Sequence, residues 1–240
     1  MIKASQFSFS YSEQIDEPIF RNASFEITAG SVTAVIGPNG SGKTTLFEII
    51  LGTLKPTHGE IVVLAGPSDC VIMPQSISAP GLLSVSEIVE FIFSINSIKK
   101  NAAQEFQSSL TESERKRYKK IQHRKFGICS AGERAWLLCS ILLSLPRKLY
   151  ILDEPTAGVD PEFRILIWNK IKRVAEKGAT ILVSTHLLDE VGAHSQRVIM
   201  ISDSNLLSFP SMSELIESTG KNSADQAFMS LIERKQQSPV

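Results

Sequence analysis

The densest chemistry in the chain lies in nine consecutive residues, Gly37, Pro38, Asn39, Gly40, Ser41, Gly42, Lys43, Thr44 and Thr45. Wrapping a backbone around phosphate oxygens requires positive φ and close approach, which side chains forbid; Gly37, Gly40 and Gly42 supply that freedom. Lys43 offers a point charge to β- and γ-phosphates, and the Thr44 hydroxyl is a ligand for Mg²⁺. The apolar run before the loop reads as a strand and the run after it as a helix. That helix aims its unsatisfied N–H groups and positive dipole end at the anion. The pattern predicts a nucleoside triphosphate site.

Such a phosphate loop, a P-loop, needs a carboxylate at the end of a buried strand. The stretch KLYILDEP provides it, with four apolar residues from Leu149 to Leu152 and then Asp153. Asp153 is expected to hold Mg²⁺ directly or through water. Glu154, one residue beyond the strand, is expected to orient and deprotonate the attacking water. Pro155 then stops the strand.

The elements that must carry these groups follow from the hydrophobic pattern. Strands are predicted at Ile2–Phe9, Ser31–Ile36, Glu60–Leu64, Val71–Met73, Lys148–Leu152, Thr180–Ser184 and Val198–Ile201. One helix follows the loop and stops at Gly52; another opens at Ser84 or Ser86; a third runs from Pro161 to just before Gly178. Strand and helix alternate in the outer thirds, which predicts an α/β fold with a parallel sheet. The middle third, from about Ser84 to Leu145, shows no strand and reads as an inserted helical subdomain. The tail from Ser211 to Val240 reads as one or two short helices with a frayed end.

At 240 residues, with 25 basic and 25 acidic side chains, the chain has no general pull toward nucleic acid. Three cysteines, Cys70, Cys129 and Cys139, form no CxxC pair and argue for a reducing compartment without a disulfide or zinc site. The first residues lack the apolar core of a signal peptide, and the run Ala135–Leu145 is too short to span a bilayer. Cys70 and Cys139 read as buried small apolar residues. The charge run Glu114–Lys125 reads first as a solvated helix face, with contact to an acidic partner or lipid headgroups as the alternative.

The motif order resembles the ATP-binding subunit of an ATP-binding cassette (ABC) transporter, over roughly Lys3 to Ser208. After the P-loop, Gln75 in VIMPQS stands where the family places a glutamine that senses Mg²⁺ and the lytic water. Cys129-Ser130-Ala131-Gly132-Glu133 stands where the family usually has Leu-Ser-Gly-Gly-Gln. Asp153 and Glu154 follow, then the AGVD loop ending at Asp160, then VSTH ending at His186, which in the family contacts the γ-phosphate. Tyr11 stands where the family often stacks an aromatic on adenine, with Phe9 and Phe20 nearby and simple packing as alternatives.

The resemblance implies a P-loop, RecA-like core with an N-terminal antiparallel β subdomain and an inserted helical subdomain. It divides the chain into a core (1–83 and 146–210), a helical part (84–145) and a tail (211–240). It implies ATP and Mg²⁺ as ligands, and hydrolysis of ATP. The nucleotide contacts would include Tyr11, the loop from Gly37 to Thr45, Ser130, Ala131, Gly132, Glu133 and Asp160; the metal would meet Thr44, Gln75 and Asp153. Ala131 departs from the family's glycine and adds a methyl group, which would weaken closure on ATP if the position requires positive φ. The resemblance further implies a head-to-tail pair with a second copy and a separate integral membrane permease, received near Gln75 to Ile95, without nucleic acid. The chain would then sit on the cytoplasmic face of the membrane. A soluble ABC-type ATPase acting on DNA or ribosomes, and an ATP-binding regulator with little turnover, are the alternative readings. The DPEFRILIW and STHLLDE stretches resemble ATPases paired with small, mainly exporting permeases for drugs, lipids or polysaccharides, with a metal or small-molecule importer as the alternative.

Overall fold

The computed structural model describes residues 1–11, 18–76, 78–96 and 101–233. In chain order the elements begin with β1 (Ile2–Phe9), β2 (Phe20–Ile27), β3 (Val32–Ile36), α1 (Lys43–Ile50), β4 (His58–Val63) and β5 (Cys70–Met73). Four helices follow: α2 (Val85–Ile95), α3 (Ala102–Ser108), α4 (Glu112–Ile121) and α5 (Ala131–Leu142). The chain then returns through β6 (Leu149–Asp153), α6 (Pro161–Glu176), β7 (Thr180–Ser184), α7 (Leu188–His194), β8 (Arg197–Ser202) and β9 (Asn205–Phe209), and ends in α8 (Met212–Thr219) and α9 (Ala224–Glu233). These residues form two compact units. The first holds Met1–Ile72, Arg147–Glu154 and the described part of Val174–Val240; the second holds Met73–Pro146 and Pro155–Arg173.

In the first unit, β2-β1-β4 form an antiparallel sheet, and a second sheet runs in the order β5-β6-β7-β3-β8-β9. The pairs β6–β7, β7–β3 and β3–β8 are parallel, and β9 closes the edge antiparallel to β8. The central strands are covered on both faces, so they read as continuous apolar runs rather than alternating ones. Val35, Ile151, Leu182 and Ile199 pack toward β1, β2 and α1, while Ala34, Ile36, Val198 and Met200 pack against α7, α8 and α9. The mixed α/β class and the antiparallel N-terminal sheet agree with the sequence reading.

Two strands escaped that reading for identifiable reasons. In β2 the buried residues are Phe20, Ala23, Phe25 and Ile27, with Asn22 at φ 46°; the extra residue interrupts the two-residue period. Strand β9 follows a two-residue hairpin in which Asp203 and Ser204 both have positive φ. That turn usually announces itself with Asn-Gly or Asp-Gly, and here the glycine is missing.

The second unit is helical. Capping boxes at Ser84, Thr111 and Ser130 open α2, α4 and α5. In its interior Phe93 meets Phe106, and Phe106 meets Tyr118, edge to face, with Trp136 tilted against Phe163. The basic run is only partly a solvated face. Glu114 is 1 % exposed and accepts hydrogen bonds at 2.8 Å from Arg173, while Arg117 pairs with Glu162 and lies over the Phe163 ring. Among the described residues no helix is long and apolar enough to cross a membrane. The expected frayed end lies at 234–240, outside the described residues.

Candidate functional site

The cradle is built where β3 ends at Ile36 and α1 begins at Lys43. A Cβ on Gly37 would stand 2.4 Å from the Ile201 carbonyl oxygen, so only glycine lets the loop pass so close to β8. Gly42 has φ 102°, and a Cβ there would meet Ile19 at 2.6 Å. The first turn of α1 has no side-chain cap and no acidic residue, which leaves its N–H groups for an anion. The Ser41 hydroxyl is buried without a hydrogen-bond partner. Such an orphan is costly in a finished core and fits a loop shaped around a ligand. The turn from Pro38 to Ser41 lines a cavity of about 510 Å³ together with Arg21 and Asp203.

Lys43 is buried, and its ammonium donates to the carbonyls of Gly37 at 2.8 Å and Pro38 at 3.1 Å. Burial pushes its pKa below the ordinary lysine value, and the charges of Glu154 and Asp153 offset part of that shift. The next hydroxyl, Thr44 Oγ1, donates to Asp153 Oδ2 at 3.1 Å. Thr45 Oγ1 shares a 2.9 Å hydrogen bond with the Tyr11 hydroxyl, and Tyr11 also reaches Glu48 at 3.5 Å. Tyr11 is 65 % exposed whereas Phe9 and Phe20 are buried, so of the three aromatics only Tyr11 presents a ring to solvent.

Strands β6 and β7 deliver the acidic groups. Their register places Asp153 beside Ser184. The Ser184 hydroxyl donates a short hydrogen bond to Asp153 Oδ1 and accepts the Glu154 N–H at 2.8 Å. Glu154 itself has φ 50°, a left-handed conformation costing about 1–3 kcal/mol for a residue with a Cβ. Its N–H also reaches the Ser184 carbonyl at 3.1 Å. The Glu154 carboxylate is 11 % exposed and lies 3.5 Å from Nδ1 of His186. Sequence reasoning missed Ser184. A hydroxyl on the last residue of a buried strand, two residues before His186, was the available signal.

The remaining predicted residues belong to the second unit. Gln75 is exposed. Ser130 caps α5: its Oγ accepts the Glu133 N–H at 3.1 Å, and Glu133 Oε2 accepts the Ser130 N–H at 2.9 Å. Glu133 is therefore committed to the cap and to Arg124, at 3.4 Å. Gly132 is buried, and a Cβ there would stand 2.6 Å from Asp160 Oδ2 and 2.5 Å from the Phe163 ring. Asp160 Oδ1 accepts the Phe163 N–H at 3.4 Å. The expected strain at Ala131 is absent. The residue is the first of α5, exposed, and not among the positive-φ positions, so a methyl group there meets no backbone penalty. Cys139 is buried as expected, with burial pushing its thiol up to about 12, but Cys70 is only half-buried and donates to the Gly66 carbonyl.

The family model described as ABC transporter matches residues 20–157, a span that includes the cradle and both acidic residues. The chain belongs to the ABC transporter family. It carries that family's ATP-binding cassette, an ATPase. Protein McbF of Escherichia coli is 30% identical over 224 residues, covering 92% of this chain and 90% of McbF. Nod factor export ATP-binding protein I of Rhizobium meliloti (strain 1021) is 30% identical over 197 residues, 78% of this chain; the match spans 58% of that longer protein. Among solved structures, an ATP-binding subunit of an ABC transporter superposes with a TM-score of 0.81 at 20% identity, over 96% of this chain and 99% of the other. A dimeric ATP-binding cassette in a post-hydrolysis state bound to ADP and Pi gives 0.68 at 22%, over 88% and 98%. At those identities the superpositions speak for the fold.

Proposed function

We propose that the chain is the ATP-hydrolysing subunit of a transporter, pairing head to tail with a second copy and driving a separate integral membrane permease. The observation that carries this reading is the meeting of cradle, carboxylates and imidazole at the ends of β3, β6 and β7. Lys43 is already held at the loop and needs only to exchange the Gly37 and Pro38 carbonyls for phosphate oxygens. Tyr11 offers its exposed ring to adenine. Glu154 accepts the proton of the attacking water, and His186 steadies the charge that develops beside it.

Thr44 Oγ1 and Asp153 Oδ2, 3.1 Å apart, form the hard oxygen set that suits Mg²⁺. Bound there, the ion would offset phosphate charge. Ser130, Ala131, Gly132, Glu133 and Asp160 are assigned to the pairing surface. The Ser130 hydroxyl accepts the Glu133 N–H and still has a hydrogen to donate, which in this reading goes to the second copy's nucleotide. Export is the direction favoured by the likeness to the Nod factor export protein, and a permease would hold the chain at the cytoplasmic face of the membrane.

Purification of tagged Glu154→Gln chain from solubilised membranes in ATP tests the assembly. Two copies of the chain with one polytopic membrane protein are expected, and Ser130→Arg should return single copies that still bind ATP. Recovery without a membrane protein, together with Ser130→Arg turnover equal to wild type, would contradict it.

A further inference from the structure

We propose that Ser184 is a positioning residue that sets both acidic groups of the site through one hydroxyl. The inference rests on the roles just proposed for Asp153 and Glu154. A serine hydroxyl has one hydrogen to give and lone pairs to receive. Here the hydrogen goes to Asp153 Oδ1, and a lone pair takes the Glu154 N–H at 2.8 Å. Ser184 has no exposed surface, so water cannot replace either partner.

The two bonds act differently. The first occupies Oδ1 and leaves Oδ2 to accept from Thr44 at 3.1 Å, and so fixes which carboxylate edge faces the metal side. The second holds the amide of a residue at φ 50°, a conformation that persists only when its surroundings impose it. The Ser184 carbonyl adds a weaker acceptor at 3.1 Å, which no substitution of the side chain removes. The hydroxyl therefore ties the carboxylate edge to the base's backbone. His186 leaves the same strand end two residues later, so all three groups share one anchor.

Ser184→Ala and Ser184→Thr test this with three readouts: kcat and KM for ATP, melting temperature, and equilibrium binding of a fluorescent ATP analogue with and without Mg²⁺. Partners behind a metal ligand typically matter by about 10- to 100-fold. For Ser184→Ala we expect kcat to fall by about that factor, with binding of the analogue in the absence of Mg²⁺ changed by less than about threefold. The tightening of analogue binding by Mg²⁺ should shrink by a similar factor, and Ser184→Thr, which restores the hydroxyl, should recover most of both. If Ser184→Thr fails to fold, Ser184→Cys, a weaker donor of similar volume, should fall between wild type and alanine. A lower melting temperature with wild-type kcat and an unchanged Mg²⁺ effect would overturn the inference and leave Ser184 a packing residue. That outcome differs from failure of the underlying reading, which would show as retained turnover in Glu154→Gln.

Discussion

Nδ1 of His186 lies 3.5 Å from Oε2 of Glu154, and the two differ sharply in environment: the imidazole is 58 % exposed and the carboxylate 11 %. The exposed partner can meet a phosphate group arriving from solvent, while the sheltered one keeps its orientation from β6 and β7. Loss of a group that stabilises developing charge typically costs about 10²- to 10³-fold in kcat. His186→Ala should therefore lower kcat by about that factor and leave the Kd for ATP within about threefold. Stopped turnover with weakened binding would place the imidazole in the ground state instead.

Lys43 makes a prediction that separates stability from binding. Its folded pKa is depressed, so the folded chain binds its proton less readily than the unfolded chain. The penalty for burying the charged form is fully present below the folded pKa. It is relieved as pH rises through the window between that value and the ordinary 10.5, where stability from this group increases with pH. Lys43→Met should raise the melting temperature of nucleotide-free chain at pH 7 and abolish the further rise that ATP gives. Unchanged ATP affinity in a titration would remove the lysine from the phosphate site.

Tyr11→Ala should weaken ATP binding by about 1–3 kcal/mol, the usual worth of an aromatic ring stacked on a base. Tyr11→Phe keeps the ring but loses the hydrogen bond to Thr45, so its cost should be about 1 kcal/mol or less. Isothermal titration of both variants distinguishes the cases. Equal losses would assign the effect to the hydroxyl.

Much of this site was legible because its chemistry is local in sequence. Gly37 to Thr45 form one turn and one helix start, and Asp153 with Glu154 follow one apolar run, so spacing alone brings them into view. Ser184 was not legible, because its partners are thirty residues away and depend on the β6–β7 register. The condition attached to Ala131, a positive φ, is not met: Ser130 caps a regular helix, whose first turn accepts alanine without strain. Strand β9 was hidden by a turn that takes left-handed φ at Asp203 and Ser204 without the usual glycine.

The buried carboxylate of Glu114 predicts a stability effect in the helical unit. Burial opposes its ionised form, but Arg173 and the bonds within the Thr111 cap more than compensate, so its pKa lies below the ordinary carboxylate value. A carboxylate with a depressed folded pKa contributes stability above about pH 4.5 that is lost as pH falls through the folded value. Arg173→Ala leaves that charge without its partner and should destabilise the chain by about 3 kcal/mol at pH 7, read by urea unfolding. The deficit should shrink below pH 4. A loss under about 0.5 kcal/mol would mean that water replaces the guanidinium.

Glu154 is proposed as the base of an ATPase whose binding site stands without it. Phosphate release and ATP affinity, measured side by side on wild type and Glu154→Gln, test it most directly. The amide cannot accept the water's proton, while the cradle from Gly37 to Thr45 and the Asp153 carboxylate are untouched. Turnover of Glu154→Gln should be lower by at least about 10²-fold, with ATP affinity equal or tighter. Turnover within twofold of wild type would contradict it and assign the base to another residue.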